Sequence, residues 1–116
     1  MGSRWSTVVV DAVDPNRLAR WWAEVLDFKL LRESGGEVTI GIPDGPRLVF
    51  IQVADAKSEK NRLHLELHPD DQAAEVERLL DMGARRADVG QPGDTEWVVL
   101  ADPEGNEFCV LPALAA

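Results

Sequence analysis

Arg62-Leu63-His64-Leu65-Glu66-Leu67-His68 sets two imidazoles and a carboxylate on alternate positions. In an extended chain, period two puts Arg62, His64, Glu66 and His68 on one side and Leu63, Leu65 and Leu67 on the other. An ordinary solvent face would carry Lys, Thr or Ser. This one carries groups that bind metals or carry protons. Two readings follow: a solvated strand face, or the wall of a ligand cavity. A second reactive group is Cys109, the single cysteine, near the end of the chain. As a nucleophile it needs a base within hydrogen-bond reach, and His64 could supply one if the two segments converge. As a small buried hydrophobe it would be inert, and that is the favoured reading of Cys109 taken alone.

Composition narrows the chemistry. The chain has 116 residues and a net charge of -9, with 21 acidic against 12 basic side chains. It suits one domain, residues 1–116, able to bury a core without disulfides. An acidic chain without clustered Lys and Arg does not read as a nucleic-acid binder or a partner of anionic membranes. The lone cysteine suits a reducing cytoplasm. No apolar run approaches a membrane span, and the N-terminus lacks the apolar stretch of a signal peptide. Residues 1–6 match the short myristoylation pattern, which carries little weight.

The elements that must position His64, Glu66 and Cys109 come in a repeating order. Trp5 to Asp11 reads as a strand. Asp14-Pro15 then opens a helix to about Leu26, with Leu18, Trp21, Trp22, Val25 and Leu26 at helical spacing. Of the two tryptophans, Trp22 is expected to be the more exposed. Strands follow at Phe28–Glu33, Glu37–Ile42 and Leu48–Val53, with a Ser34-Gly35-Gly36 turn between the first two. The last is apolar on both faces and reads as central and doubly covered. After a connector at 54–61, the Arg62–Asp70 stretch is the fifth strand. A second helix is expected over Asp70–Met82, with Ala74, Val76, Leu79, Leu80 and Met82 as its stripe. Strands at 84–89, 95–101 and 107–111 complete the chain. Asp102 and Glu104 read as formers of the turn before the last strand. The pattern repeats after about fifty-five residues, which predicts two βαβββ modules, about 5–54 and 62–112.

Val13-Asp14-Pro15, Leu18 to Leu26, Arg62 to Leu67, Gly83-Ala84 and Leu100-Ala101-Asp102-Pro103-Glu104-Gly105-Asn106-Glu107-Phe108 together resemble the vicinal oxygen chelate superfamily, nearest its small glyoxalase-like domains. The resemblance spans about Thr7 to Leu111. It implies an α+β fold of two βαβββ modules whose curved mixed sheet surrounds a cavity, with helices on the outer face, often in a homodimer. Metal-dependent members draw ligands from the first and last strand of each module. Carried over, these positions fall on Thr7, Gln52 (or Phe50 in a shifted register), His64 and Cys109. Only His64 is a strong ligand type there, with Cys109 second and Glu66 a contrived third. No cofactor is therefore expected, a divalent metal being the alternative, and metal below one ion per chain is the expectation.

The reading that results is a cytoplasmic homodimeric glyoxalase-like protein that binds a small organic molecule. Its wall would comprise Thr7, Val9, Phe50, Gln52, His64, Glu66, Trp97, Glu107 and Cys109, all on the face away from the helices, with His64 the candidate general base. The rivals are a metal-dependent lyase, isomerase or dioxygenase, and a drug-sequestering protein of the bleomycin-resistance kind.

Overall fold

The computed structural model describes residues 2 and 4–114; Met1 and Ser3 of the N-terminal pattern lie outside the described residues, as do residues 115 and 116 of the expected single domain. The chain forms two compact units, Met1–Ala56 and Lys57–Ala116. Each contains one βαβββ module, as the repeat predicts.

The first unit holds β1 (Val8–Ala12), α1 (Pro15–Leu26), β2 (Lys29–Ser34), β3 (Glu37–Gly41) and β4 (Arg47–Gln52). Its sheet order is β1-β4-β3-β2, with β1 parallel to β4 and the other pairs antiparallel. Pro15 sits at the helix start, where its missing N–H costs nothing, and the Asp14 carboxylate accepts from the Arg17 amide. Leu18, Ala19, Trp21 and Trp22 bury one side of α1. The tryptophan expectation is corrected: Trp22 is 3% exposed and Trp21 8%, their rings edge to face at 5.0 Å. Two rings packed edge to face cover one another as well as the core, so both are buried. Gly35 and Gly36 both take positive φ, the requirement of the two-residue turn joining β2 to β3. On β4, Leu48 and Phe50 are buried, whereas Val49 and Ile51 are only partly covered. The double cover expected of this strand is therefore incomplete.

The second unit holds β5 (Leu65–Leu67), α2 (Gln72–Asp81), β6 (Arg85–Arg86), β7 (Val98–Ala101) and β8 (Glu107–Val110). Its order, β5-β8-β7-β6, repeats the first topology, with β5 parallel to β8. The helix starts two residues after the expected Asp70, and Asp71 caps it by accepting from the Ala74 amide. Val76 and Leu79 alone on α2 are fully buried; Ala74 is exposed. The fifth strand is much shorter than its alternation suggests. A bend at Arg62–Leu63 interrupts it and leaves Leu63 88% exposed rather than in the core.

Two carboxylates fix the ends of β8's surroundings. Asp102 is fully buried; its Oδ1 accepts from the Glu104 and Asn106 amides at 2.9 and 3.0 Å, and Asn106 Nδ2 donates to Oδ2 at 3.0 Å. It is thus the turn former expected. Glu107 reaches back to the connector: Oε1 accepts from the Asn61 amide at 2.9 Å and Oε2 from Lys57 Nζ at 3.0 Å. Partial burial pushes the Glu107 carboxyl up, but the Asn61 amide, Lys57 and its own backbone amide outweigh that and hold it below the ordinary carboxylate value.

Asp102→Ala should leave these buried amides without their charged acceptor and lower stability by about 2–4 kcal/mol in urea unfolding. The Glu107 stabilisation has the sign of a depressed acid. It is complete above the unfolded carboxyl value, about 4.3, and is lost as pH falls through the lower folded one. Glu107→Gln should therefore flatten the acid limb of the stability–pH curve. An unchanged limb in denaturation series from neutral to acid pH would refute this role of Glu107.

Candidate functional site

Parallel pairing builds the site in the second unit. Glu66 on β5 lies opposite Cys109 on β8, and Val99 on β7 lies opposite Cys109 from the other side. Side chains alternate, so His64, Glu66, Val99, Trp97, Glu107 and Cys109 share one face of this sheet. Phe108 and Val110, the intervening residues of β8, are fully buried, and α2 packs against that strand. A cavity of about 340 Å³ opens on the first face, lined by all six together with Val89, Gly90 and Gln91 of the loop after β6 and Lys60 and Asn61 of the connector.

His64 and Glu66 are joined by a 3.1 Å hydrogen bond between Nε2 and Oε2. A carboxylate only accepts, so the ring donates from Nε2. Cys109 is buried at the floor. Burial pushes its thiol up, the Glu66 carboxylate adds to this, and Lys60 opposes it, so the resting group is a neutral thiol. One donor atom each from His64, Glu66 and Cys109 lie within 4.8 Å of one another. Glu107 lines the cavity but spends its carboxylate on Asn61 and Lys57, so it shapes the rim. His68, on the same side of the sequence pattern, is absent from the lining; its Nδ1 lies 3.4 Å from the Pro112 carbonyl.

The four candidates of the first unit stand differently. Val9 is half-exposed on the face away from α1. Thr7 precedes β1, and its hydroxyl donates to the Arg47 carbonyl at 3.0 Å. Phe50 is fully buried on the α1 side, the opposite of the face expected for it. Gln52 shares that alternation at the strand's end and is exposed beside Gly36, whose carbonyl accepts from its amide. The register explains the correction. Val9 pairs with Val49 as Glu66 pairs with Cys109, so Val49, not Gln52 or Phe50, is the counterpart of Cys109.

Sequence reasoning missed Lys60, Asn61, Val89, Gly90, Gln91, Val99 and Phe108 as lining residues. Val99 alternates with Trp97 and was legible from period two. The loop residues carry no pattern and reach the cavity only through folding.

The site residues can be set beside known proteins. None of the curated proteins compared with the chain matches it significantly. Among solved structures, a fosfomycin resistance protein from Mesorhizobium loti superimposes with a TM-score of 0.72 at 18% identity, covering 98% of this chain and 94% of that one. A bleomycin resistance determinant encoded on the transposon Tn5 gives 0.62 at 15% identity, covering 97% and 100%. A glyoxalase-related enzyme from Fulvimarina pelagi gives 0.67 at 15%, covering 92% and 86%. At such identities the likeness is one of fold. The family model described as glyoxalase-like domain matches residues 7–111, and the chain belongs to that family within the vicinal oxygen chelate superfamily.

Proposed function

We propose that the second unit's cavity binds a small organic molecule. The observation that carries this is convergence: His64, Glu66, Trp97, Glu107 and Cys109, scattered over 46 positions of sequence, line one cavity of about 340 Å³. That volume falls in the range of small-molecule pockets. Trp97, Val89 and Val99 offer an apolar wall. His64 and Glu66 offer a donor and an acceptor at one end, and the imidazole, oriented by its carboxylate, is placed to exchange a proton with the ligand. The ligand set that the family resemblance implies is not reproduced, because the register counterparts in the first unit are Thr7, Val9 and Val49, which bring no imidazole or carboxylate.

Other features support the rest of the reading. No helix among the described residues is long and apolar enough to cross a membrane. A single free cysteine is compatible with the cytoplasm. The partly covered Val49 and Ile51 and the exposed Val9 give the first unit an apolar face suited to a second copy of the chain.

Two outcomes are expected. A ligand found by native mass spectrometry of gently purified protein should bind His64→Ala more weakly by about 1–3 kcal/mol if the imidazole makes a buried polar contact. Equal binding by the variant would remove His64 from the site. Light scattering should give twice the chain mass, and a monomer mass at high micromolar concentration would refute the dimer.

A further inference from the structure

The geometry points to a covalent thiol site in the second unit's cavity. Cys109, with His64 as its base and Glu66 orienting the ring, adds reversibly to planar α,β-unsaturated carbonyl compounds. This deepens the proposed function and rests on it, since the cavity must first receive a small organic molecule.

A cysteine on a core strand is ordinarily a small hydrophobe. The alternation of β8 places this one otherwise. Phe108 and Val110, 1% and 0% exposed, take the core side of the strand. Cys109 is 7% exposed and lines the cavity, and no hydrogen bond to its sulfur is found among the described residues. The matching place in the first unit, set by the same parallel register, holds Val49 opposite Val9. Packing alone is served there by aliphatic side chains. In the second unit the pair is a thiol opposite a carboxylate.

Attack by a thiol needs a base within reach, and the base needs a third group to orient it. The β5–β8 register supplies both. One donor atom each of Cys109, His64 and Glu66 lie within 4.8 Å of one another, and His64 Nε2 donates to Glu66 Oε2 at 3.1 Å. That tautomer leaves the ring's lone pair on Nδ1. The His64 side chain is 40% exposed and reaches the sulfur by its own torsions, as loose catalytic pairs tighten around a bound ligand. Burial and the Glu66 carboxylate keep the resting sulfur a neutral thiol, which attacks only when the base takes its proton.

The lining selects the electrophile. Sulfur is soft and polarisable, which suits a polarised carbon–carbon double bond. Trp97 and Val99 give an apolar wall for a flat conjugated ligand. The Lys60 ammonium, which donates to the Asn61 carbonyl at 3.2 Å, is near enough to act on the thiol electrostatically. As the S–C bond forms at the ligand's β-carbon, His64 takes the thiol proton and the double-bond electrons move onto the carbonyl oxygen. Lys60 supplies a cation for the enolate charge that develops. The imidazolium then gives the proton to the α-carbon. Thiol sulfur and hydrogen have added across the double bond; nothing is oxidised or reduced and no group leaves. Release reverses the same steps.

The test uses the whole chain with benzylideneacetone, a planar enone, and its saturated counterpart benzylacetone as control. Intact mass spectrometry should show one probe added per chain with no atoms lost, and peptide mapping should place it on Cys109. The rate should saturate with probe and exceed that of N-acetylcysteine at the same pH. His64→Ala should lower the saturated rate by about 10²-fold, the usual share of a general base. Glu66→Gln should lower that rate and leave the half-saturating concentration unchanged. His68→Ala, outside the cavity, should change neither. Circular dichroism checks that each variant is folded. An unchanged mass, an adduct on another residue, a rate that rises linearly with probe, or folded His64→Ala reacting at the wild-type rate would each overturn the thiol site. Calorimetry with benzylacetone keeps the two readings apart: binding of the saturated ketone with no adduct from the enone refutes the thiol site and leaves the cavity's function standing.

Discussion

The parallel pairing of β5 with β8 is the contact on which the candidate site depends. A parallel pair cannot be made by a short turn; its strands must be joined by a crossover. Here α2, β6 and β7 lie between the two strands in sequence. This connection brings Glu66 opposite Cys109 although 42 residues of chain separate them. A one-residue slip would turn Glu66 toward α2 and replace it in the cavity with leucine. The register is protected against this by the buried Phe108 and Val110, which have no other place to go.

Two carboxylates engaged by the protein's own donors hold this arrangement. Asp102 substitutes for solvent at a turn whose amides would otherwise be buried without partners, and no buried side-chain nitrogen or oxygen among the described residues lacks one. Glu107 ties β8 to the connector that carries Lys60 and Asn61 to the cavity rim. Acidic groups beside a cavity invite a catalytic reading. In this protein Asp102 is spent on the Glu104 and Asn106 amides and the Asn106 side chain, and Glu107 on the Asn61 amide and Lys57, whereas Glu66 directs its carboxylate to His64.

The two units share a topology and not a chemistry. Register maps Glu66 and Cys109 of the second unit onto Val9 and Val49 of the first. The same sheet therefore presents imidazole, carboxylate and thiol in one unit and aliphatic side chains in the other. Solved structures that share the fold include antibiotic-resistance proteins and a glyoxalase-related enzyme. A fold that serves such different ends leaves the side chains on its open faces to decide function.

What the chain determined by itself was local: two helices, the Asp14 cap of the first, the glycine turn, the Asp102 turn and the repeated βαβββ order all follow from patterns a few residues long. The α+β modules were legible for that reason. The fifth strand was overread because alternation cannot register the bend at Arg62–Leu63, which follows the Asn61 amide bound by Glu107 from 46 residues away. The placement of Phe50 and Gln52 failed similarly. Spacing along the chain ignores loop length, and only hydrogen-bonded register decides which strand face a residue occupies. The meeting of Glu66 with Cys109, and the lining from the loop at 89–91, were decided by tertiary structure alone, because they are distances between segments and no local pattern encodes them.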